Sequence, residues 1–262
     1  MLGVSRSGYY EWAARDLSQG VRSNIGLDRR IREIFAGHRQ RYGAPRIADA
    51  LHDEGSTCSE NRIARRMRIL GLHAIQTKKY TVTTDSTHSK PVTSDWLEQD
   101  FHAAAPNQKW TSDITSVWTD EGWLYLAVVM DLYSRAIVGW SMNRRMTQQL
   151  VCDALSMALF RRGLPKGTIL HSGRGSQYCS QRYQQLIQSH GLYGSMVRKA
   201  TCDDNAVTER FFHTLKIELV ERSVTQRMAK TTIFAYIETY DNRERKHSAI
   251  GYRISMVFKK TA

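Results

Sequence analysis

Residues 110–142, WTSDITSVWTDEGWLYLAVVMDLYSRAIVGWSM, decide the fold of this chain. Three runs within the stretch, 110–118, 123–133 and 134–142, are rich in β-branched and aromatic residues, a composition typical of strands. The letters TDEG between the first two runs are typical of a tight turn. Because the connections between the runs are short, the stretch predicts three consecutive strands in an antiparallel meander.

Helix and strand patterns alternate after this stretch. Thr147 is a suitable N-cap for a helix whose apolar residues recur at helical spacing, namely Val151, Ala154, Leu155, Ala158 and Leu159. A short strand at 168–171, a helix over 181–190 and a strand over 192–197 follow. A last strong helix begins after Asn205. Strands followed by alternating helices and strands predict an α/β fold, a mixed sheet covered by helices.

The N-terminal third has the pattern of three helices. Apolar residues recur at helical spacing in the first of them: Leu27, Ile31, Ile34 and Phe35. Pro45 suits the first turn of the second helix, and Gly55 is a typical end for it. Ser59 can cap the third helix, which Gly71 ends.

The third of these helices is rich in arginine. Four arginines lie within seven residues around its apolar stripe: Arg62, Arg65, Arg66 and Arg68. Two short helices joined by a turn, with basic residues on the second, fit a helix-turn-helix module that contacts DNA. The alternative is a solvated basic helix in an ordinary bundle.

The charge balance favours a polyanionic partner. The chain has 262 residues, and 38 lysines and arginines stand against 25 acids, which gives a net charge of +13. Such a basic surface favours nucleic acid, although a soluble basic protein without such a partner has the same composition. The four cysteines form no CxxC pair, so no zinc site is indicated locally.

Segment composition predicts the location and the domain boundaries. The N-terminal letters MLGVSRSGYYEW lack the apolar run of a signal peptide, and no stretch approaches a membrane span, so we expect a cytoplasmic protein without a membrane partner. Residues 76–95 are polar and lack periodicity, as in a linker. We predict a helical DNA-binding region (1–75), a linker (76–102), a core (103–225) and a basic helical C-terminal extension (226–262).

Two acids occupy unusual positions in the predicted core. Asp113 lies in the middle of the first strand, where aspartate is uncommon and rarely buried without a partner. Glu209 lies in the first turn of the last strong helix. Each has an ordinary explanation, because aspartate can cap a neighbouring turn and glutamate complements a helix dipole.

Eight ordered motifs alter that interpretation: VSRSGYYEW, RYGAPRI, RRMRILGL, WTSDITSVW, VVMDLYSRAIVGW, HSGRGSQY, DNAVTERFFHTLK and DNRERKHSAIGY. Over nearly its whole length the chain resembles insertion-sequence transposases of the OrfB type, made from a second reading frame. These are relatives of retroviral integrases in the DDE superfamily. The zinc site of two histidines and two cysteines found at the N-terminus of retroviral integrases has no match here.

The resemblance implies a fold and a metal site. The fold is a ribonuclease-H-like mixed five-stranded sheet with flanking helices, preceded by the helix-turn-helix-type region. Two aspartates and a glutamate hold two Mg²⁺ or Mn²⁺ ions in such cores. The first aspartate matches Asp113 and the glutamate matches Glu209, whereas the second aspartate falls on Gly173, in a motif that normally has the letters HSD. The 35 residues between Gly173 and Glu209 are the spacing that this superfamily favours.

The resemblance also implies contacts with DNA. Lys216 lies two turns after Glu209 on the same helix face and matches a contact with the DNA end, although an exposed surface lysine is an equal alternative. Arg174 brings a positive charge next to Gly173 and can pair with a phosphate. The implied partners are double-stranded DNA, further copies of the chain on that DNA and an upstream-frame protein, in the bacterial cytoplasm near the nucleoid.

Gly173 divides the functional interpretation. Loss of a carboxylate that binds the metal directly should nearly abolish strand transfer, and His171, Asp131, Asp203 and Asp204 are poor substitutes for it. The chain is therefore interpreted as a DNA transposase by descent with impaired catalysis. The alternative is a DNA-binding protein without chemistry. A simple ribonuclease-H-like nuclease would explain the core but neither the N-terminal helices nor the basic C-terminal motif.

Overall fold

The computed structural model describes residues 5–75, 96–97, 100–196, 205–218 and 225–260. The chain divides into two compact units, Met1–Gln76 and Thr77–Ala262. Most of the predicted linker, residues 76–95 and 98–99, lies outside the described residues. At its C-terminal end Leu97 is buried and packs with Ala103 and Leu132 of the second unit.

A mixed five-stranded sheet forms the second unit, as expected. Its strands are β1 (Lys109–Thr119), β2 (Gly122–Asp131), β3 (Ile137–Asn143), β4 (Ile169–Ser172) and β5 (Tyr193–Met196). Their order is β3-β2-β1-β4-β5. The first three strands pair antiparallel, which confirms the predicted meander, and β4 lies parallel to both β1 and β5. The carboxyl ends of β1, β4 and β5 therefore point in the same direction.

Helices cover the sheet and complete its core. They are α5 (Gln148–Arg161), α6 (Gln181–Ser189) and α7 (Ala206–Glu218). Apolar residues of α5 pack on β2 and β3, and a Cβ at Gly139 would collide with the backbone carbonyl of Ala154 and the backbone amide of Ala158. Glycine at 139 therefore permits the close approach of β3 and α5. Thr147 is the N-cap residue of α5, as predicted, but its side chain makes no capping hydrogen bond.

Four helices form the first unit: α1 (Arg6–Ala14), α2 (Gln19–Gly37), α3 (Ala44–Asp53) and α4 (Glu60–Ile69). The last three pack around the fully buried residues Ile31, Ile47 and Ile63. Pro45 lies in the first turn of α3, and the Ser59 hydroxyl accepts a hydrogen bond from the Arg62 amide at 3.4 Å. The predicted helix boundaries in this unit are therefore confirmed.

The C-terminal segment is attached to the sheet. It contains α8 (Gln226–Ala235), a π-helical turn (Tyr236–Asp241), a hairpin of β6 (Lys246–His247) and β7 (Arg253–Ile254), and α9 (Ser255–Lys260). The Asn242 side chain donates to the Ile137 carbonyl and accepts from its amide, at 3.0 and 2.9 Å. Arg245, from the basic motif of the sequence, is buried and pairs with Glu218 at 3.1 Å. Across the described ranges, every helix is too short or too polar for a membrane crossing.

Candidate active site

The pairing of β1 with β4 ends one residue before Asp113 and Gly173. In this parallel pair Thr111 lies opposite His171 and Ser112 opposite Ser172, and continuation of this register by one residue would set Gly173 beside Asp113. Neighbouring strands are about 5 Å apart, and residues that lie opposite each other face the same side of the sheet. A side chain at 173 would therefore point to the same face as the Asp113 carboxylate.

Helix α7 covers that face of the sheet. The Thr111 hydroxyl donates to the Asn205 side chain and lies 3.0 Å from the Thr208 hydroxyl, which fixes the start of α7 on β1. Because side chains alternate along a strand, Asp113 faces the same side as Thr111. Glu209 directly follows Thr208 and is thereby brought to Asp113. Thr111 and Thr208 were not identified from the sequence. Thr111 could have been found, because it lies two residues before Asp113 and therefore faces the same side of the strand.

The charges of Glu209 and Lys216 both act on the Asp113 carboxylate. Burial is the main reason that the pKa of Asp113 rises to about 7, and the negative charge of Glu209 raises it further. The Ile114 amide, which donates to the Asp113 carboxylate at 2.8 Å, and the positive charge of Lys216 act in the opposite direction. A half-buried carboxylate with a second carboxylate acting on it favours a proton or a cation.

Lys216 borders the same site. It is half-buried on α7, and burial lowers its pKa while the charge of Asp113 raises it. A partly desolvated ammonium beside two acids can also meet a phosphate that enters the site. Its predicted contact with DNA stays a prediction.

An aspartate would fit at position 173 without steric conflict. A Cβ built on Gly173 has no atom within 4 Å, and the backbone φ of Gly173 is outside the left-handed region. Glycine is therefore not required here by backbone conformation or by close packing, in contrast to Gly139. The space that a third carboxylate would need is present beside Asp113.

The acids that are present fit one magnesium ion better than two. Within the described ranges, no group of three or more His, Cys, Asp or Glu side chains has the arrangement of a metal site. Mg²⁺ is commonly bound by one or two carboxylates and completes its shell with water. Asp113 and Glu209 could hold one hydrated ion in this way, but a two-ion site lacks the carboxylate that position 173 would supply.

Other polar groups near the site already have structural roles. Asp131 is fully buried, pairs with Arg162 at 3.2 Å and accepts a hydrogen bond from the Ser134 hydroxyl at 2.7 Å. His171 is fully buried, with its Nδ1 2.9 Å from the Ser195 hydroxyl. Neither is available as a substitute for the second aspartate. Asp203 and Asp204, also considered from the sequence, lie outside the described residues.

The loop after β4 is held in its second half. The Tyr178 hydroxyl is buried 3.2 Å from the Ser112 hydroxyl, and the Gln177 side chain donates to the Met146 carbonyl at 3.1 Å. Arg174 is only partly exposed, one residue beyond Gly173. The loop is thus anchored beneath the site, and the predicted phosphate contact of Arg174 stays a prediction.

The four arginines of α4 divide into two pairs. Arg66 donates to both carboxylate oxygens of Asp28 on α2, with its Nε 2.7 Å from Oδ1. Arg62 donates to the side chains of Ser23 and Asn24 on the same helix, at 3.0 and 2.9 Å. Arg65 and Arg68 are exposed. Of the four predicted DNA contacts, these last two have the open side chains, whereas Arg62 and Arg66 join α4 to α2.

Two family descriptions match the chain. The integrase core domain family matches residues 103–202, and the HTH-like domain family matches residues 23–80. The first match includes Asp113 and Gly173, and the second includes most of α2 and all of α3 and α4. These matches confirm the expected ribonuclease-H-like core and the helix-turn-helix-type region before it.

Curated relatives match almost the whole chain. The transposase InsF of insertion sequence IS3A from Escherichia coli K12 is 46% identical over 255 residues, which are 96% of this chain and 88% of that protein. A 31 kDa protein of insertion element IS600 from Shigella sonnei is 42% identical over 96% of this chain and 93% of that protein. In a solved simian T-cell lymphotropic virus intasome, one chain is 13% identical with a TM-score of 0.49, over 83% of this chain and 74% of that chain.

Proposed function

This chain belongs to the family of IS3-type transposases with an integrase core domain, and on that premise we propose that it binds insertion-sequence ends but transfers phosphodiesters poorly. DNA binding rests on the helix-turn-helix-type unit, in which Arg65 and Arg68 are exposed, and on the basic charge of the chain. Impaired transfer rests on Gly173. The substrates would be the ends of the element and a target DNA.

The chemistry of phosphodiester transfer explains why position 173 matters. Mg²⁺ or Mn²⁺ bound in such a core would supply activation of the attacking oxygen and stabilisation of the leaving oxygen. Asp113 and Glu209 would supply carboxylate oxygens from a strand and a helix. Gly173 supplies no carboxylate, so the described residues could bind one ion at most. One ion would not activate the attacking oxygen and stabilise the leaving oxygen at the same time.

The observation that carries this proposal is the position of Gly173 directly after strand β4. It lies one step beyond the paired residues Ser112 and Ser172, on the face of Asp113 and with open space at its Cβ. This position supports the proposal that a second aspartate would be presented here, and that its carboxylate is what the chain lacks.

The test restores that carboxylate. We expect Gly173→Asp to cleave duplex DNA carrying the terminal repeat of the element at least about 100-fold faster than the native chain, in Mg²⁺ and in Mn²⁺. Gly173→Asn has the same shape without the charge and is the matched control. Glu209→Gln in the Gly173→Asp background should abolish the gain. Equal cleavage by the native chain and Gly173→Asp would disprove the impaired site.

A second candidate function is a DNA-binding protein without chemistry. It is favoured by the lack of a three-acid metal group within the described ranges, since binding through Arg65 and Arg68 requires no metal. The Gly173→Asp experiment separates the two candidates. If that variant binds element ends in preference to random DNA but never cleaves them, the chain is a binder only.

Assembly on DNA is a further part of the proposal. A transposase must join two element ends, so we expect at least two copies of the chain on paired ends, with an upstream-frame protein as a possible additional subunit. Sedimentation of the complex with end DNA measures this number. One copy on a paired-end complex would contradict the expectation.

A further inference from the structure

A cavity of about 580 Å³ lies in the second unit, at the end of the sheet where β2 turns into β3. Its walls come from three segments that are distant in the sequence: residues 101–104, the turn 132–135 and residues 249–258. The side chains that determine its chemistry are two arginines and three aromatic residues, namely Arg135, Arg253, Phe101, Tyr133 and Phe258.

Positive charge is in excess around this cavity. The Arg135 guanidinium donates to the Phe101 carbonyl at 3.4 Å, but its Nε is buried and has no hydrogen-bond partner among the described residues. Arg162 likewise has a buried Nη1 without a partner in that part of the chain. Burial lowers the pKa of both groups, and Asp131 is the carboxylate that opposes this effect in each. Arg135 and Arg253 line the cavity, and none of the described residues that line it is acidic, so an anion in the cavity could balance their charge.

The aromatic side of the cavity is organised around Phe258. Its ring lies 4.9 Å from the ring of Tyr133, and the Arg253 guanidinium lies 5.4 Å from its centre. Aromatic rings with an arginine over them provide a surface on which a nucleic-acid base stacks, whatever its sequence. The cavity thus combines donors for a phosphate with a surface for a base.

Backbone strain occurs on both sides of the cavity. Arg135 has a φ of +61° and Tyr252 a φ of +58°, in the left-handed region that side chains other than glycine rarely adopt. Such conformations persist where the surrounding contacts fix them, and they are enriched at ligand sites. Arg135 both adopts this conformation and lines the cavity.

Helix α7 connects the cavity with the candidate active site. Val207 packs on the cluster that contains Leu132 and Tyr133, and the charge of Arg210 lowers the pKa of Arg135. Glu209, between these two residues, belongs to the active site. The same helix therefore carries a residue of the candidate active site and two residues that act on the cavity side of the sheet.

We propose that this cavity binds DNA by holding a backbone phosphate at Arg135 and Arg253 and an unpaired base on Phe258 and Tyr133, next to the strand-transfer site. The inference rests on the proposed function, because the ligand proposed for the cavity is the DNA strand that flanks the reacting bond. It adds a site for single-stranded nucleotides that is distinct from the duplex contacts of α4.

The test compares single-stranded with duplex DNA on the full chain by fluorescence anisotropy. We expect Phe258→Leu, which keeps an apolar side chain but removes the ring, to weaken binding of a short single-stranded oligonucleotide about 5-fold or more. Arg253→Ala should weaken it as well and reduce the salt dependence by about 0.7 in log–log slope. Binding of a blunt duplex should change less than about 2-fold in both variants.

A control of equal charge makes the result specific. Arg227 is exposed on α8 and does not line the cavity, so Arg227→Ala removes one positive charge elsewhere in the unit. The proposal is overturned if Arg227→Ala weakens single-strand binding as much as Arg253→Ala, or if Phe258→Leu has no effect. It is also overturned if an acidic peptide displaces the oligonucleotide equally well from the native chain and from Phe258→Leu.

Failure of the proposed function would look different in the same experiment. In that case the chain would not prefer element-end duplex over random duplex, while the difference between Phe258→Leu and the native chain on single strands would remain. If Phe258→Leu and the native chain bind single strands equally well while the preference for element ends is retained, the cavity proposal is overturned and the proposed function is not.

Discussion

Asp131 and Asp113 are carboxylates on neighbouring strands of one sheet, and the protein surrounds them in opposite ways. Asp131 is fully buried and has an arginine at 3.2 Å, a hydroxyl at 2.7 Å and a backbone amide of Asn107 at 3.3 Å. Asp113 accepts a hydrogen bond from the Ile114 amide, and an acid, Glu209, raises its pKa. The first carboxylate is paired directly with an arginine inside the protein, whereas the second has the negative charge of Glu209 and the positive charge of Lys216 acting on it.

The arginines of α4 show the same contrast with the opposite sign. Arg66 is paired with Asp28 on the neighbouring helix, whereas Arg65, one residue before it, is exposed. Charges that are satisfied within the fold support the structure. Charges that the fold leaves open are the ones that can bind a ligand from outside, a cation at Asp113 or a phosphate at Arg65.

The largest effect is expected where an internal pair is broken. Asp131→Asn leaves Arg162 buried without a carboxylate and should lower the free energy of unfolding by about 3–5 kcal/mol. Five of the six tryptophans lie in the second unit, so unfolding monitored by tryptophan fluorescence reports on it. Adding Arg162→Met to Asp131→Asn should recover part of the loss. An equal loss in Asp113→Asn would contradict the contrast between the two aspartates.

A smaller effect with its own pH dependence is expected at Asp113. Its folded-state pKa of about 7 lies above the ordinary value of 3.8, so the folded chain holds this proton more tightly than the unfolded chain. In metal-free buffer, stability should therefore fall as the pH rises from 3.8 to about 7 and level off above that, by on the order of 2 kcal/mol in total. Asp113→Asn should remove this fall and be the more stable protein at about pH 8. A native profile that is flat between about pH 5 and pH 8 would contradict the raised pKa.

The sequence predicted those parts of the structure that depend on local pattern. The strands around Asp113, the caps at Ser59 and Gly71 and the start of α7 follow from periodicity and capping residues within a few positions. Asp113 and Glu209 could be selected as a pair only through the resemblance to a family, because their proximity depends on the contact of α7 with β1.

Contacts between distant segments could not be predicted in this way. Nothing near Arg66 in the sequence indicates that Asp28, 38 residues earlier, is its partner. The sequence therefore predicts all four arginines of α4 alike as DNA contacts. The same is true of the cavity around Arg135 and Phe258, since its walls come from three separate segments. Only the folded chain distinguishes arginines that support the structure from those that remain open.

The smallest effect, and the most direct test of the contrast in α4, compares Arg65→Ala with Arg66→Ala. Arg66→Ala leaves Asp28 without its partner and should destabilise the first unit by about 1–2 kcal/mol, less than at Asp131 because the pair is partly exposed. Arg65→Ala should leave stability unchanged, weaken duplex binding and reduce its salt slope by about 1. Circular dichroism at 222 nm follows the helices, and anisotropy with duplex DNA follows binding. If Arg66→Ala reduces the salt slope while stability is unchanged, Arg66 binds phosphate as well, and pairing within the fold does not separate structural arginines from DNA contacts.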